Sequence, residues 1–116
     1  MEVCLVEDYI RIFPKNNWFP YVLPLKNSSF NALIFKVNNQ ELEALDRYEG
    51  VNSGLFKRIT TDIILKDHKK IEAFIYIPTN ETIISQGLSP VLDKQDLWKK
   101  EIEKFPEVVT KFPELI

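Results

Sequence analysis

The run Phe56-Lys57-Arg58-Ile59-Thr60-Thr61-Asp62-Ile63-Ile64-Leu65-Lys66-Asp67-His68-Lys69-Lys70-Ile71-Glu72-Ala73-Phe74-Ile75-Tyr76-Ile77 decides the fold. Residues 56–66 and 71–77 each alternate, and Ile59, Ile63 and Leu65 share one side of the first stretch. A period of two puts those side chains on one face of a strand. The polar link Asp67-His68-Lys69-Lys70 is short enough to turn the second strand back antiparallel to the first. Pro78 ends the second strand because it has no N–H to give to a ladder.

Upstream, Asn38-Asn39-Gln40-Glu41 has a capping residue with a glutamate three positions later. Leu42, Leu45 and Tyr48 then recur at helical spacing until Gly50, which predicts a helix of about three turns. Residues 30–37 read as the strand before it. Residues 14–29 hold three prolines and two polar clusters, so they read as a long irregular connection carrying Trp18, Phe19 and Tyr21. Residues 3–13 alternate again, with Ile10 and Ile12 on one face.

Downstream, residues 79–90 are polar and read as irregular. From Asp93 onward Leu97, Trp98, Ile102 and Phe105 form a helical stripe that Pro106 ends or kinks. Lys104-Phe105-Pro106-Glu107 recurs as Lys111-Phe112-Pro113-Glu114. The repeat is read as two proline-started turns that pack Phe105 and Phe112 on the body. The pattern predicts one α+β domain over residues 1–116: a small mixed, mostly antiparallel curled sheet or barrel with a short central helix and a C-terminal helix.

Composition narrows the function. The 116 residues carry 15 basic and 17 acidic side chains for a net charge of -2, with 45% hydrophobic residues, one cysteine and one histidine. A chain of this size buries roughly two thirds of its unfolded surface, so a core forms without disulfides or metal. Cys4 has no partner for an internal disulfide, and Cys4 with His68 falls short of a zinc ligand set. The charge balance lacks the basic excess of a nucleic-acid binder. No apolar run is long enough to span a membrane, and the start lacks the pattern of a signal peptide. The expectation is a cytoplasmic protein with no metal, cofactor, nucleic acid or membrane partner.

No phosphate loop, nucleophile elbow or cysteine pair is present, which leaves carboxylates and hydroxyls to do chemistry. Glu49 is the unusual one. At the end of the central helix its charge faces the negative pole of the helix macrodipole, where a cation is favoured by about 0.3–1 kcal/mol. Such a carboxylate holds its proton more readily, and enclosure by Tyr48, Phe56 and Trp18 would raise its pKa further toward that of a general base. The other reading is an exposed glutamate paired with Arg47 or Arg58. Arg58 can clamp a carboxylate ligand or pair with Glu49 or Asp62. Trp18, Phe19 and Tyr21 can line a pocket lip or pin their loop to the core. His68 reads as a solvated hairpin residue.

The stretch Leu45-Asp46-Arg47-Tyr48-Glu49-Gly50-Val51-Asn52-Ser53-Gly54-Leu55-Phe56-Lys57-Arg58 resembles the gamma-glutamylcyclotransferase-like (AIG2-like) family, in which a Leu-Asp-x-x-Glu-Gly helix end leads to an aromatic-x-Arg strand start. Glu7 to Phe13, residues 30–37, Glu72 to Ile77 and Gly87-Leu88-Ser89-Pro90 resemble the family's flanking strands and turn. The resemblance implies that Glu49 is the catalytic acid/base in closing a γ-glutamyl amine or amino acid to 5-oxoproline. It makes Arg58, Tyr48, Trp18 and Tyr21 the candidate substrate-binding side chains, and no cofactor is implied. Met1 to Val6 do not match the family's Tyr-Gly-Ser/Thr-Leu loop, and Val91-Leu92 stand where a tyrosine is usual. The domain is therefore read as N-terminally shortened relative to the family, with an open sheet edge that predicts a homodimer. The alternative reading is a non-catalytic ligand-binding or self-associating remnant of the same fold.

Overall fold

The computed structural model describes residues 1–13, 20–89 and 98–115. Two strands, β1 (Glu2–Ile12) and β2 (Tyr21–Ile34), precede a helix, α1 (Asn39–Tyr48), and two further strands, β3 (Phe56–Leu65) and β4 (Lys70–Pro78), follow it. Three short helices come next, α2 (Asn80–Gln86), α3 (Trp98–Ile102) and α4 (Pro106–Lys111), and a 3-10 turn at Pro113–Leu115 ends the described chain. The strands form one sheet in the order β2-β1-β3-β4, and all its pairings are antiparallel.

The hairpin forms as its alternation predicts, with Phe56 opposite Pro78 and Ile63 opposite Ile71. Asp67 Oδ1 accepts the Lys69 N–H at 3.0 Å to shape the turn, and His68 adopts a left-handed φ of 68°. α1 carries the expected capping box: Asn38 Oδ1 accepts from the Glu41 N–H at 2.8 Å, and Glu41 Oε1 accepts from the Asn38 N–H at 3.1 Å.

Sequence expectations are corrected at both ends of β2, at residues 80–86 and at Phe105. Tyr21 to Ser29 is strand rather than irregular connection, because β2 is an outer strand with a partner on one side only, and Pro24, opposite Tyr9 beside the register shift, is tolerated at such an edge. β2 also stops at Ile34, three residues before the expected end. Residues 80–86 are helical: Thr79 caps their start by accepting from the Thr82 N–H, and Gly87 ends them at a φ of 62°. The C-terminal stripe divides into α3 and α4 because Pro106 occupies the first turn of a new helix. Asp93 and Leu97 lie outside the described residues. Of the repeated phenylalanines, Phe112 is buried while Phe105 is 61% exposed.

Alternation along β1 builds two layers. Cys4 and Val6 point inward onto Ile63, Ala73 and Ile75, and residues of β2 such as Ala32 join them, so the sheet curls around this cluster. Val3 points outward onto Ile102, Phe112 and Leu115, which seats the C-terminal helices on the back of the sheet. At the far end Ile12, Tyr21 and Leu23 pack with Leu88 and with the flanking Phe56 and Ile83. That last cluster fastens α2 beside the start of β3, where the chain arrives from Glu49. Among the described residues, no helix is long and apolar enough to cross a membrane.

Candidate active site

Glu49 is the C-terminal cap of α1, and its N–H donates to the Leu45 carbonyl at 2.8 Å. Gly50 follows at a φ of +72°, a conformation that lets the chain leave the helix at once. A β-carbon at Gly50 would lie 3.0 Å from Leu55 Cδ1. Gly50→Ala is therefore expected to cost about 1–2 kcal/mol, the penalty of a left-handed L-residue, read from the urea midpoint. An unchanged midpoint would show that the turn relaxes freely.

The loop after Gly50 is bolted to α2. Thr79 Oγ1 donates to the Gly54 carbonyl at 2.6 Å, and the buried Thr82 donates to the Leu55 carbonyl at 2.7 Å. The Thr79 N–H adds a bond to Leu55 O at 3.2 Å. Glu49 thus sits between two fixed points, the end of α1 and a loop held by α2.

The Glu49 carboxylate is half-buried, and no hydrogen bond or ion pair reaches it among the described residues. Burial pushes its pKa above the ordinary glutamate value because water is withdrawn from the charged form with no cation in exchange. The two pairings considered from sequence for Arg58 are both corrected. Arg58 donates instead to Asp46 Oδ2 at 2.8 Å, because Asp46 projects from α1 over the face of β3 that carries Arg58. Asp62 stands opposite Glu72 in the β3–β4 register.

Sequence reasoning missed the group beside this pair. Tyr76 stands opposite Arg58 in the β3–β4 register and donates its hydroxyl to Asp46 Oδ1 at 2.6 Å. The Arg58 guanidinium lies 4.7 Å from the centre of the Phe74 ring. Burial first, then the Asp46 carboxylate, push the Tyr76 phenol up to about 12, against a lowering influence from Arg58. Because the folded value lies above the unfolded one, this stabilisation is complete below pH 10 and fades as pH rises through about 12. Phenolate absorbance should accordingly show a late-titrating phase that disappears in Tyr76→Phe; a titration unchanged by that substitution would refute it.

The remaining candidates are dispersed. Tyr48 is 83% exposed. Tyr21 is buried in the core, its hydroxyl donating to Gln86 Oε1 at 3.0 Å and its ring 5.4 Å from that of Phe56. Trp18 lies outside the described residues. A cleft of about 320 Å³ opens near Asp8 and Asp62, and an apolar one of about 390 Å³ runs between β2 and the C-terminal helices. Neither is lined by Glu49.

This curled sheet, with a helix between its two hairpins, is the architecture of several solved proteins. One described as a gamma-glutamyl cyclotransferase superposes with a TM-score of 0.62 at 17% identity, covering 89% of this chain and 72% of that one. The Arabidopsis thaliana protein At3g28950.1 gives 0.65 at 17% identity over 98% of this chain and 66% of its own. An uncharacterized Homo sapiens protein gives 0.60 at 19% identity over 81% and 70%. At these identities the likeness establishes the fold. No curated protein matches the sequence significantly. The family model "Gamma-glutamyl cyclotransferase, AIG2-like" matches residues 2–100, and the chain belongs to that family.

Proposed function

We propose that the domain converts a γ-glutamyl amine or amino acid to 5-oxoproline, with Glu49 as general acid/base. The substrate's α-amine attacks its own γ-carbonyl carbon, a C–N bond closes the five-membered ring, and the original amide C–N bond breaks to release an amine. An ammonium cannot attack, so a base must first take its proton; the same carboxylic acid then protonates the departing nitrogen. One carboxylate serves both steps, and because the attack is intramolecular the protein mainly has to hold the substrate folded. The observation that carries the reading is Glu49 itself: half-buried, without a cation partner among the described residues, raised in pKa, and placed in the stretch that resembles the family's motif.

The test is 5-oxoproline release, followed by chromatography, from γ-glutamyl-alanine and from a γ-glutamyl alkylamine. Release from either supports the reading and its ratio identifies the leaving-group class. No release from both would favour the non-catalytic ligand-binding module. A cytoplasmic setting and self-association belong to the same proposal, the latter motivated by the two outer strands β2 and β4. Sedimentation showing only monomer at high micromolar concentration would refute the dimer.

A further inference from the structure

Asp46 stands three residues before Glu49 on α1, a spacing that brings side chains to the same helix face. Both of its oxygens are engaged, Oδ2 by Arg58 and Oδ1 by Tyr76. The partners come from adjacent strands at one register position, so a single rigid hairpin presents both to the helix. Phe74 restrains the guanidinium from its other side. The charged and titratable groups beside Glu49 at this helix end include Asp46, Arg47 and the exposed Tyr48 of α1, Arg58 of β3 and Tyr76 of β4.

We propose that Asp46 is a positioning residue for Glu49: it ties the last turn of α1 to the β3–β4 hairpin and keeps the Arg58 guanidinium from pairing with the Glu49 carboxylate. The inference rests on the reading of Glu49 as the proton-transfer group. A guanidinium released from Asp46 would find the Glu49 carboxylate one helical turn along. Pairing there would stabilise the ionised form and leave a weaker base, whereas Asp46 absorbs the positive charge and lets burial act on Glu49 unopposed.

The experiment follows the Glu49 side-chain carboxyl by NMR of ¹³C-labelled protein, its resonance assigned by loss in Glu49→Gln. Asp46→Asn keeps the shape and still accepts from Tyr76 but cannot hold the guanidinium as an ion pair. Its Glu49 midpoint should fall by about one pH unit, and Asp46→Asn/Arg58→Gln should restore it. An unchanged midpoint in folded Asp46→Asn overturns the proposal.

Tyr76→Phe supplies an independent arm, since it removes one bond and leaves the ion pair. The Glu49 and Val51 amides, which donate to Leu45 and Asp46 in the last turn, should then exchange several-fold faster. If Asp46→Asn does not fold, this variant decides, and unchanged exchange overturns the anchor. In turnover, Asp46→Asn should lower kcat at near-constant KM, with partial recovery in Asp46→Glu. A wild type that releases no 5-oxoproline would sink the catalytic reading alone, since titration and exchange still report on the anchor.

Discussion

Glu49→Gln is expected to reduce 5-oxoproline formation by a factor of about 10²–10⁴, the contribution of a positioned general acid/base. The amide keeps the shape of the carboxylate but cannot take a proton from the substrate ammonium. The fold should persist. Burial raises the Glu49 pKa, so the folded protein holds this proton more tightly than the unfolded chain does. Such a group gives its full stabilisation below the unfolded pKa and loses it as pH rises through the folded one. At neutral pH the ionised side chain is therefore a disfavoured species in the fold, and a neutral glutamine should leave the urea midpoint equal or slightly higher. The acid limb of the wild-type rate profile should sit above the ordinary glutamate range for the same reason. Equal turnover by wild type and variant would eliminate Glu49 as the base, and a large drop in urea midpoint would show that its charge is structural.

Ile12→Ala should lose about 2–5 kcal/mol of stability, the usual cost of truncating a fully enclosed aliphatic side chain and leaving a cavity. Ile12 has 0% of its surface exposed and packs with Tyr21, Leu23 and Leu88, joining β1, β2 and the end of α2 in one cluster. Against a total stability of about 5–15 kcal/mol, such a loss moves a sizeable fraction of the population toward unfolding. Ile12→Val, which removes a single methylene, should cost only about 0.5–1.5 kcal/mol. Denaturant titration of the pair measures the gradient. A loss below 1 kcal/mol for Ile12→Ala would mean that α2 and its neighbours collapse into the space.

The parts of this fold legible from sequence are those whose signals are local. Alternation in residues 56–77 and the Asn38/Glu41 box each concern neighbours a few positions apart, and both formed as read. The resemblance to the family led to the right fold and singled out Glu49 as the candidate base. What escaped depended on the third dimension. The first part of β2, before Phe30, was hidden because prolines are read as breakers, and only knowledge that the strand is outermost makes Pro24 harmless. α2 was hidden because Ile83 and Ile84 are too few to make a stripe. Arg58 and Tyr76 lie 12 and 30 residues from Asp46, whose carboxylate they share. A signal did exist for two of these three: the predicted hairpin already put Arg58 and Tyr76 on facing strands.

β1 joins β3 through only three residue pairs, Cys4 with Leu65, Leu5 with Ile64 and Val6 with Ile63. Within each hairpin the ladder is far longer, running from Phe56–Pro78 to Ile64–Lys70 in one and from Glu2–Ile34 to Ile12–Tyr21, across one irregularity, in the other. The sheet is thus two hairpins sewn by a short seam whose sides lie some sixty residues apart in the chain. Hairpins close in about 1–10 μs, whereas a seam of that span must wait for a large loop to close. Docking across Cys4–Val6 is then the step that times folding, and substitutions along this seam should slow refolding more than equally destabilising ones at the outer strands.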